Sequence, residues 1–133
     1  MQTIVINSQK GGSAKTMLCK HLSVEAERAG DGPVFLIDTD PQATLTAWHA
    51  KREAKTPARV DLPFDVLEKG LALIRSHGAA YCIIDTASGR LDITAELFKL
   101  ADLVIFPVQP SEDDLTAAPV TVKNLKQIGR AHV

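Results

Sequence analysis

The sequence is short of several things, and each shortage excludes a class. Two cysteines in 133 residues, Cys19 and Cys82, lie far apart. A disulfide-stapled scaffold is excluded, and both thiols are expected to be reduced, buried and inert. There is no excess charge of either sign: 15 bases meet 16 acids. No global basic field marks a nucleic-acid coat protein, so any DNA contact must come from a local patch. No apolar run approaches the roughly 18 residues of a membrane span. The start, Met1-Gln2-Thr3-Ile4-Val5-Ile6, lacks the charged opening and long apolar core of a signal peptide. Repeats and low-complexity tracts are missing too. What remains, 45% hydrophobic and 23% charged, is the composition of one folded domain, expected to be soluble and cytoplasmic.

Short apolar runs alternate with helical periodicity, which predicts an α/β domain with a parallel sheet. Strands are expected at residues 3–7, 34–38, 81–85 and 103–108, and a short extended piece at 64–67. Helices are expected at 15–29, with Leu18, Leu22 and Ala26 inward and Gly30 as its stop, and at 45–52, 70–77, 93–101 and 114–127. Three strands run into polar residues: Asn7-Ser8-Gln9-Lys10, Asp38-Thr39-Asp40 and Asp85-Thr86. Ligands of open α/β sheets bind at the carboxyl ends of strands, so these sets should share one crevice.

Lys10-Gly11-Gly12-Ser13-Ala14-Lys15-Thr16 lies between the first strand and the first helix. Glycines there let backbone N–H groups turn toward phosphate oxygens, and the helix start adds its positive end. In such a loop Lys15 would reach the β- and γ-phosphates and Thr16 would hold Mg²⁺. The alternative is a plain strand-to-helix turn.

The spacing Lys10-Gly11-Gly12-x-x-Lys15-Thr16 resembles the deviant Walker A motif of the ParA/MinD ATPases. Phe35-Leu36-Ile37-Asp38-Thr39-Asp40-Pro41-Gln42, Tyr81-Cys82-Ile83-Ile84-Asp85-Thr86-Ala87 and the tract from Ala101 through Pro107-Val108-Gln109-Pro110-Ser111 resemble the family's later motifs, in order. The Asp-Pro-Gln and Pro-Val-Gln-Pro-Ser tracts are most similar to small ParA partition ATPases. The resemblance implies a three-layer P-loop NTPase fold with a mostly parallel sheet, truncated on its C-terminal side. It implies ATP and Mg²⁺ as cofactors, and a homodimer formed with ATP and dissolved by hydrolysis. Implied partners are a centromere-binding protein and non-specific DNA, rather than a membrane. Gly11, Gly12, Ser13, Ala14, Lys15, Thr16 and Met17 would bind the nucleotide. Lys10 would cross the dimer to the partner's phosphates, Asp40 would orient the attacking water, and Asp38 would support the Mg²⁺ shell. Two positions depart from the family pattern: Ala14 stands for a glycine, and Met17 for a second threonine.

The acids also have a physical reading. Asp85 ends an apolar strand, where a carboxylate is costly unless it meets a cation or donors; a link to Mg²⁺ would supply one. Asp38 and Asp40 lie two apart on an extended segment and so point the same way. The alternative is a turn, opened by Asp40-Pro41, in which both acids cap backbone. Between Trp48 and Val60, Lys51, Arg52, Lys55 and Arg59 outnumber Glu53. A solvated basic surface is expected there, with DNA phosphate contact as the alternative, and Trp48 is read as a packing residue. Rival functions are a MinD-like positioning ATPase on membranes, an ATP-dependent ligase of the dethiobiotin or cobyrinic acid type, and a nucleotide-binding module without turnover. Residues 1–127 are read as the N-terminal part of the ATPase domain. Ile128-Gly129-Arg130-Ala131-His132-Val133 fits no family pattern and matches one reading frame of a common sequencing adapter, so a non-native tail is expected.

Overall fold

The computed structural model describes residues 1–8, 13–88 and 91–108, and beyond them 115–116, 119–120, 122–123 and 126; at Ser13 and Leu91 it describes the backbone alone. The expected last helix is therefore only partly covered, though the described residues from 115 to 126 are helical. Gln109, Pro110 and Ser111, and the tail from Ile128 to Val133, lie outside the described residues.

In chain order the elements are β1 (Gln2–Ile6), α1 (Ser13–Arg28), β2 (Val34–Asp38), α2 (Thr44–Ala50), β3 (Ala58–Arg59), a 3-10 turn (Phe64–Val66), α3 (Leu67–Ser76), β4 (Tyr81–Asp85), α4 (Leu91–Leu100) and β5 (Leu103–Ile105). The five strands form one parallel sheet in the order β3-β2-β4-β1-β5. Parallel strands buried on both faces read as unbroken apolar runs, and β4 is such a run. Successive side chains alternate between two cores. Val5, Ile37, Cys82 and Ile84 meet Leu67, Leu71 and Ile74 of α3 and Leu97 and Phe98 of α4. Ile6, Val34, Leu36 and Ile83 meet Cys19 of α1 and Leu45 of α2, with Trp48 packed against them. The expected packing role of Trp48 is what the structure shows.

Three expectations need correction. The inward face of α1 centres on Cys19 and Ser23, both fully buried; Leu18 and Ala26 pack half-buried against the same core as expected, while Leu22 is 38% exposed. Small side chains let the helix lie close over the sheet, and Ser23 satisfies its hydroxyl on the Lys20 carbonyl at 3.0 Å. The extended piece is not at 64–67 but at β3, where Ala58 pairs with Phe35; Pro63 instead opens the turn that feeds α3. Strand β5 stops at Ile105. Its carbonyl accepts the Asn7 N–H at 3.0 Å, and Pro107, just beyond, has no N–H with which to extend the ladder.

Gly30 ends α1 as expected, with φ +81° and open space around the Cβ it lacks. Gly30→Ala should therefore cost only backbone strain, about 1 kcal/mol. The check is a lower urea midpoint at unchanged m value; an unchanged midpoint would mean the helix end relaxes freely.

Candidate phosphate- and metal-binding site

Three strand ends are level. Ile6 pairs with Asp85, and Asp85 with Asp38, so β1, β4 and β2 stop on one rim. Two threonines fasten that rim. Thr39, next after Asp38, donates its hydroxyl to the Asp85 carbonyl at 2.7 Å and its N–H to the same oxygen at 2.9 Å. Thr86, next after Asp85, donates to the Ile6 carbonyl at 2.8 Å and stands 2.8 Å from the Asn7 side-chain amide. The repeated Asp-Thr after an apolar run was the available sequence signal for this fastening, and only its acids attract notice.

The first turn of α1 faces the rim. Lys15 and Thr16 are its third and fourth residues, and no acid shares that turn. The positive helix end and the Lys15 charge therefore act together on any anion placed there. Both side chains are buried, Lys15 at 3% and Thr16 at 8% exposure. Thr16 donates to Asp85 Oδ2 at 2.7 Å, and the Lys15 ammonium donates to the Ser88 hydroxyl at 2.5 Å. Lys15, Thr16 and Asp85 thus meet at one place. Lys10, Gly11 and Gly12 lie outside the described residues. Ser13 opens α1 and Ala14 is helical, so the methyl of Ala14 imposes no left-handed backbone; the one described non-glycine residue with positive φ is Ala43. Met17 is 51% exposed.

Asp85 is the electrostatic centre. Asp85 is 1% exposed, and its Oδ1 is buried with no hydrogen-bond partner among the described residues. Burial raises its pKa above the ordinary carboxylate value; the Thr16 bond and Lys15 pull it down, while the charges of Asp38 and Asp40 push it further up. A buried carboxylate oxygen that no N–H or O–H donor reaches among the described residues, with only the weakly donating Cys19 thiol behind it and a threonine hydroxyl beside it, fits a hard divalent cation and its water shell. Cys19 lies behind it. Burial first, and then Asp85 and Asp38, hold that thiol protonated, so it is no nucleophile.

Asp38 and Asp40 take the capping arrangement that the sequence left open. Asp38 Oδ2 accepts the Thr46 N–H at 2.9 Å and the Thr46 hydroxyl at 2.8 Å, and its Oδ1 accepts the Asp40 N–H at 3.1 Å. Asp38 therefore caps α2, where the formal cap position, Ala43, offers no side-chain oxygen. Asp40 Oδ1 accepts the Gln42 N–H at 2.9 Å. Beside them a small cavity, lined in part by Thr39, Pro41, Thr86 and Thr94, separates the rim from α4.

The basic stretch after Trp48 is partly consumed by local contacts. Arg52 stacks on the Trp48 ring at 4.8 Å, with Lys20 at 5.7 Å from the same ring, and Arg59 pairs with Asp61. No described helix is long and apolar enough to cross a membrane.

Residues 4–131 match the model of the family described as the CobQ/CobB/MinD/ParA nucleotide binding domain. A protein named ParA from Rhizobium radiobacter is 29% identical over 119 residues, covering 87% of this chain and 52% of that protein. The chain thus spans about half the length of that relative. Among solved structures, the MinD cell division protein of Aquifex aeolicus superposes with a TM-score of 0.76 at 20% identity, over 99% of this chain and 66% of that one. The cobyrinic acid a,c-diamide synthase of Mycobacterium smegmatis, with bound ADP and magnesium, gives 0.74 at 19% identity, over 96% and 67%.

Proposed function

The chain belongs to the CobQ/CobB/MinD/ParA nucleotide-binding family, and on that premise we propose that it binds and hydrolyses ATP with Mg²⁺ as a ParA-like partition switch. The observation that carries the nucleotide part is the meeting of Lys15, Thr16 and Asp85 at the level strand ends, with one Asp85 oxygen left for a cation. Backbone N–H groups from Gly11 to Thr16 would cradle the phosphates and Lys15 would hold the β- and γ-oxygens. Thr16 and Asp85 would hold Mg²⁺, with Asp38 behind them; the ion would offset phosphate charge. The kinship with a protein named ParA supports the partition reading. A MinD-like positioning role stays beside it, because the MinD fold likeness is as strong as any quoted above.

In this reading the nucleotide brings two copies together, and hydrolysis separates them. Lys10 acts across the interface, placing a cation where charge develops on the transferring phosphoryl group. Asp40 orients the attacking water; its capping bond to Gln42 uses one carboxylate oxygen and leaves the other for that task. The centromere-binding partner stimulates hydrolysis, and the dimer holds DNA without sequence preference.

These roles separate by mutation. Asp40→Ala should still dimerise with ATP but lose phosphate release, and Lys10→Ala should bind ATP as a monomer without turnover. Light scattering on a sizing column and a phosphate assay read both. Normal hydrolysis by Lys10→Ala removes the in-trans role. Phosphate release that depends on an added small carboxylic acid would move the protein to the ligase branch of the family.

A further inference from the structure

The carboxylate of Asp38 uses most of its accepting capacity inside the chain. Such a group offers about four lone-pair sites. The Thr46 N–H, the Thr46 hydroxyl and the Asp40 N–H all donate to it. Two of these donors belong to one half-buried residue in the first turn of α2. Any residue at that place could supply the N–H. The hydroxyl bond, at 2.8 Å, is supplied by the threonine side chain alone, and it uses the one proton that hydroxyl has.

Between Asp38 and Thr46 the chain makes a tight turn. The Asp40 carbonyl accepts the Ala43 N–H at 2.9 Å, and Asp40 Oδ1 accepts the Gln42 N–H at 2.9 Å. Ala43 closes the turn at φ 53° and ψ 35°, the left-handed region, which crowds the Cβ of any residue but glycine. A crowded residue persists only where its surroundings hold it. Two neighbours do so here. Leu45 is wholly buried in the core beneath α1 and α2, and Thr46 ties the start of α2 back to Asp38. From there the chain of bonds runs on, since Asp38 Oδ1 holds the Asp40 N–H. The main chain of Asp40 is thus placed by Thr46 at one remove. Lys15, Thr16 and Asp85 are held by other bonds.

We infer that Thr46 is a positioning residue for hydrolysis: its hydroxyl, acting through Asp38, holds the turn from Asp38 to Ala43 in the form that aims Asp40 at the attacking water. The inference rests on the water-orienting role proposed for Asp40 and adds the residue that sets its aim. Because the phosphate-holding residues do not share the Thr46 bonds, turnover should follow this hydroxyl and nucleotide affinity should not.

The test compares wild type, Thr46→Val, Thr46→Ala and Thr46→Ser in the full-length protein with Mg²⁺. Calorimetry with a non-hydrolysable ATP analogue reads affinity, and single-turnover phosphate release reads the chemical step. Thr46→Val keeps the side-chain shape and the backbone bond but lacks the hydroxyl, and Thr46→Ala lacks it in a residue that suits a helix. Both should bind the analogue within about twofold of wild type and release phosphate about tenfold more slowly, the effect of a slightly misplaced group. Thr46→Ser should restore the rate. Normal release by the folded Val or Ala variant, even at a lower melting temperature, leaves Thr46 as a helix cap and overturns the inference. So does affinity that falls in step with release, or a Ser variant as slow as Val. Turnover lost in Asp40→Ala but kept in Thr46→Val refutes Thr46 alone. A wild type that binds no nucleotide, or an Asp40→Ala that releases phosphate normally, refutes the proposed function, and Thr46 with it.

Discussion

Lys15→Ala should leave a folded protein whose affinity for Mg–ATP is at least about 100-fold weaker, beyond the reach of ordinary calorimetry. The size follows from placement. Lys15 is a buried cation in the first turn of α1, so its bonds to phosphate would form where water screens them little. The fold should not suffer, because the lysine contributes charge rather than packing: its partner is the Ser88 hydroxyl, and alanine suits a helix. Wild-type affinity in Lys15→Ala, with an unchanged melting curve, would sink the site.

Asp85→Asn should make the nucleotide-free protein more stable, on the order of 1 kcal/mol, and abolish Mg²⁺-dependent nucleotide binding. The amide keeps an oxygen for Thr16 and removes a charge that burial penalises. The pH dependence has a definite sign. Burial raises the folded pKa of Asp85 above its ordinary value of 3.8. Between the unfolded and folded values the native state therefore holds more protons than the unfolded chain. Stability attributable to this group is lost as pH rises through that window. The gap between variant and wild type should thus be small near pH 4 and widen as pH rises. Parallel melting temperatures across that range, or a less stable variant at pH 7, would count against a strained carboxylate kept for a cation.

Strands β2 and β4 lie where the sequence places them, because an apolar run that is mostly buried on both faces leaves little else for the chain to do. The face of α1 was harder to read. Hydrophobicity favours Leu22 as much as Leu18, but only Leu18 packs on the core, and closeness to the sheet brings in Cys19 and Ser23; closeness is not a property of any one residue. Strand β3 is two residues in a proline-punctuated stretch and exists because β2 offers an edge. At the site, residue type and spacing pointed to Lys15, Thr16 and Asp85. They left the contacts of Asp38 open, since nothing in the residue type shows that its carboxylate also caps α2 through Thr46. Ser88 carried no signal at all: a serine in a strand-to-helix loop is ordinary, and its bond to Lys15 spans 73 positions.

Each face of the sheet also carries one thiol. Cys19 sits in the core beneath α1, behind the candidate phosphate site, and Cys82 in the core beneath α3 and α4, where burial pushes its pKa up to about 12. Neither reacts with an alkylating reagent until its own layer opens, so the two labelling rates report separate opening events in an unmodified protein. A ligand that clamps the start of α1 slows labelling of Cys19 by the factor with which it stabilises the closed layer. Cys82 slows equally only if that layer opens through global unfolding. The ratio of the two rates therefore measures how far nucleotide binding on one side of the sheet is felt on the other, with no probe attached and no residue changed.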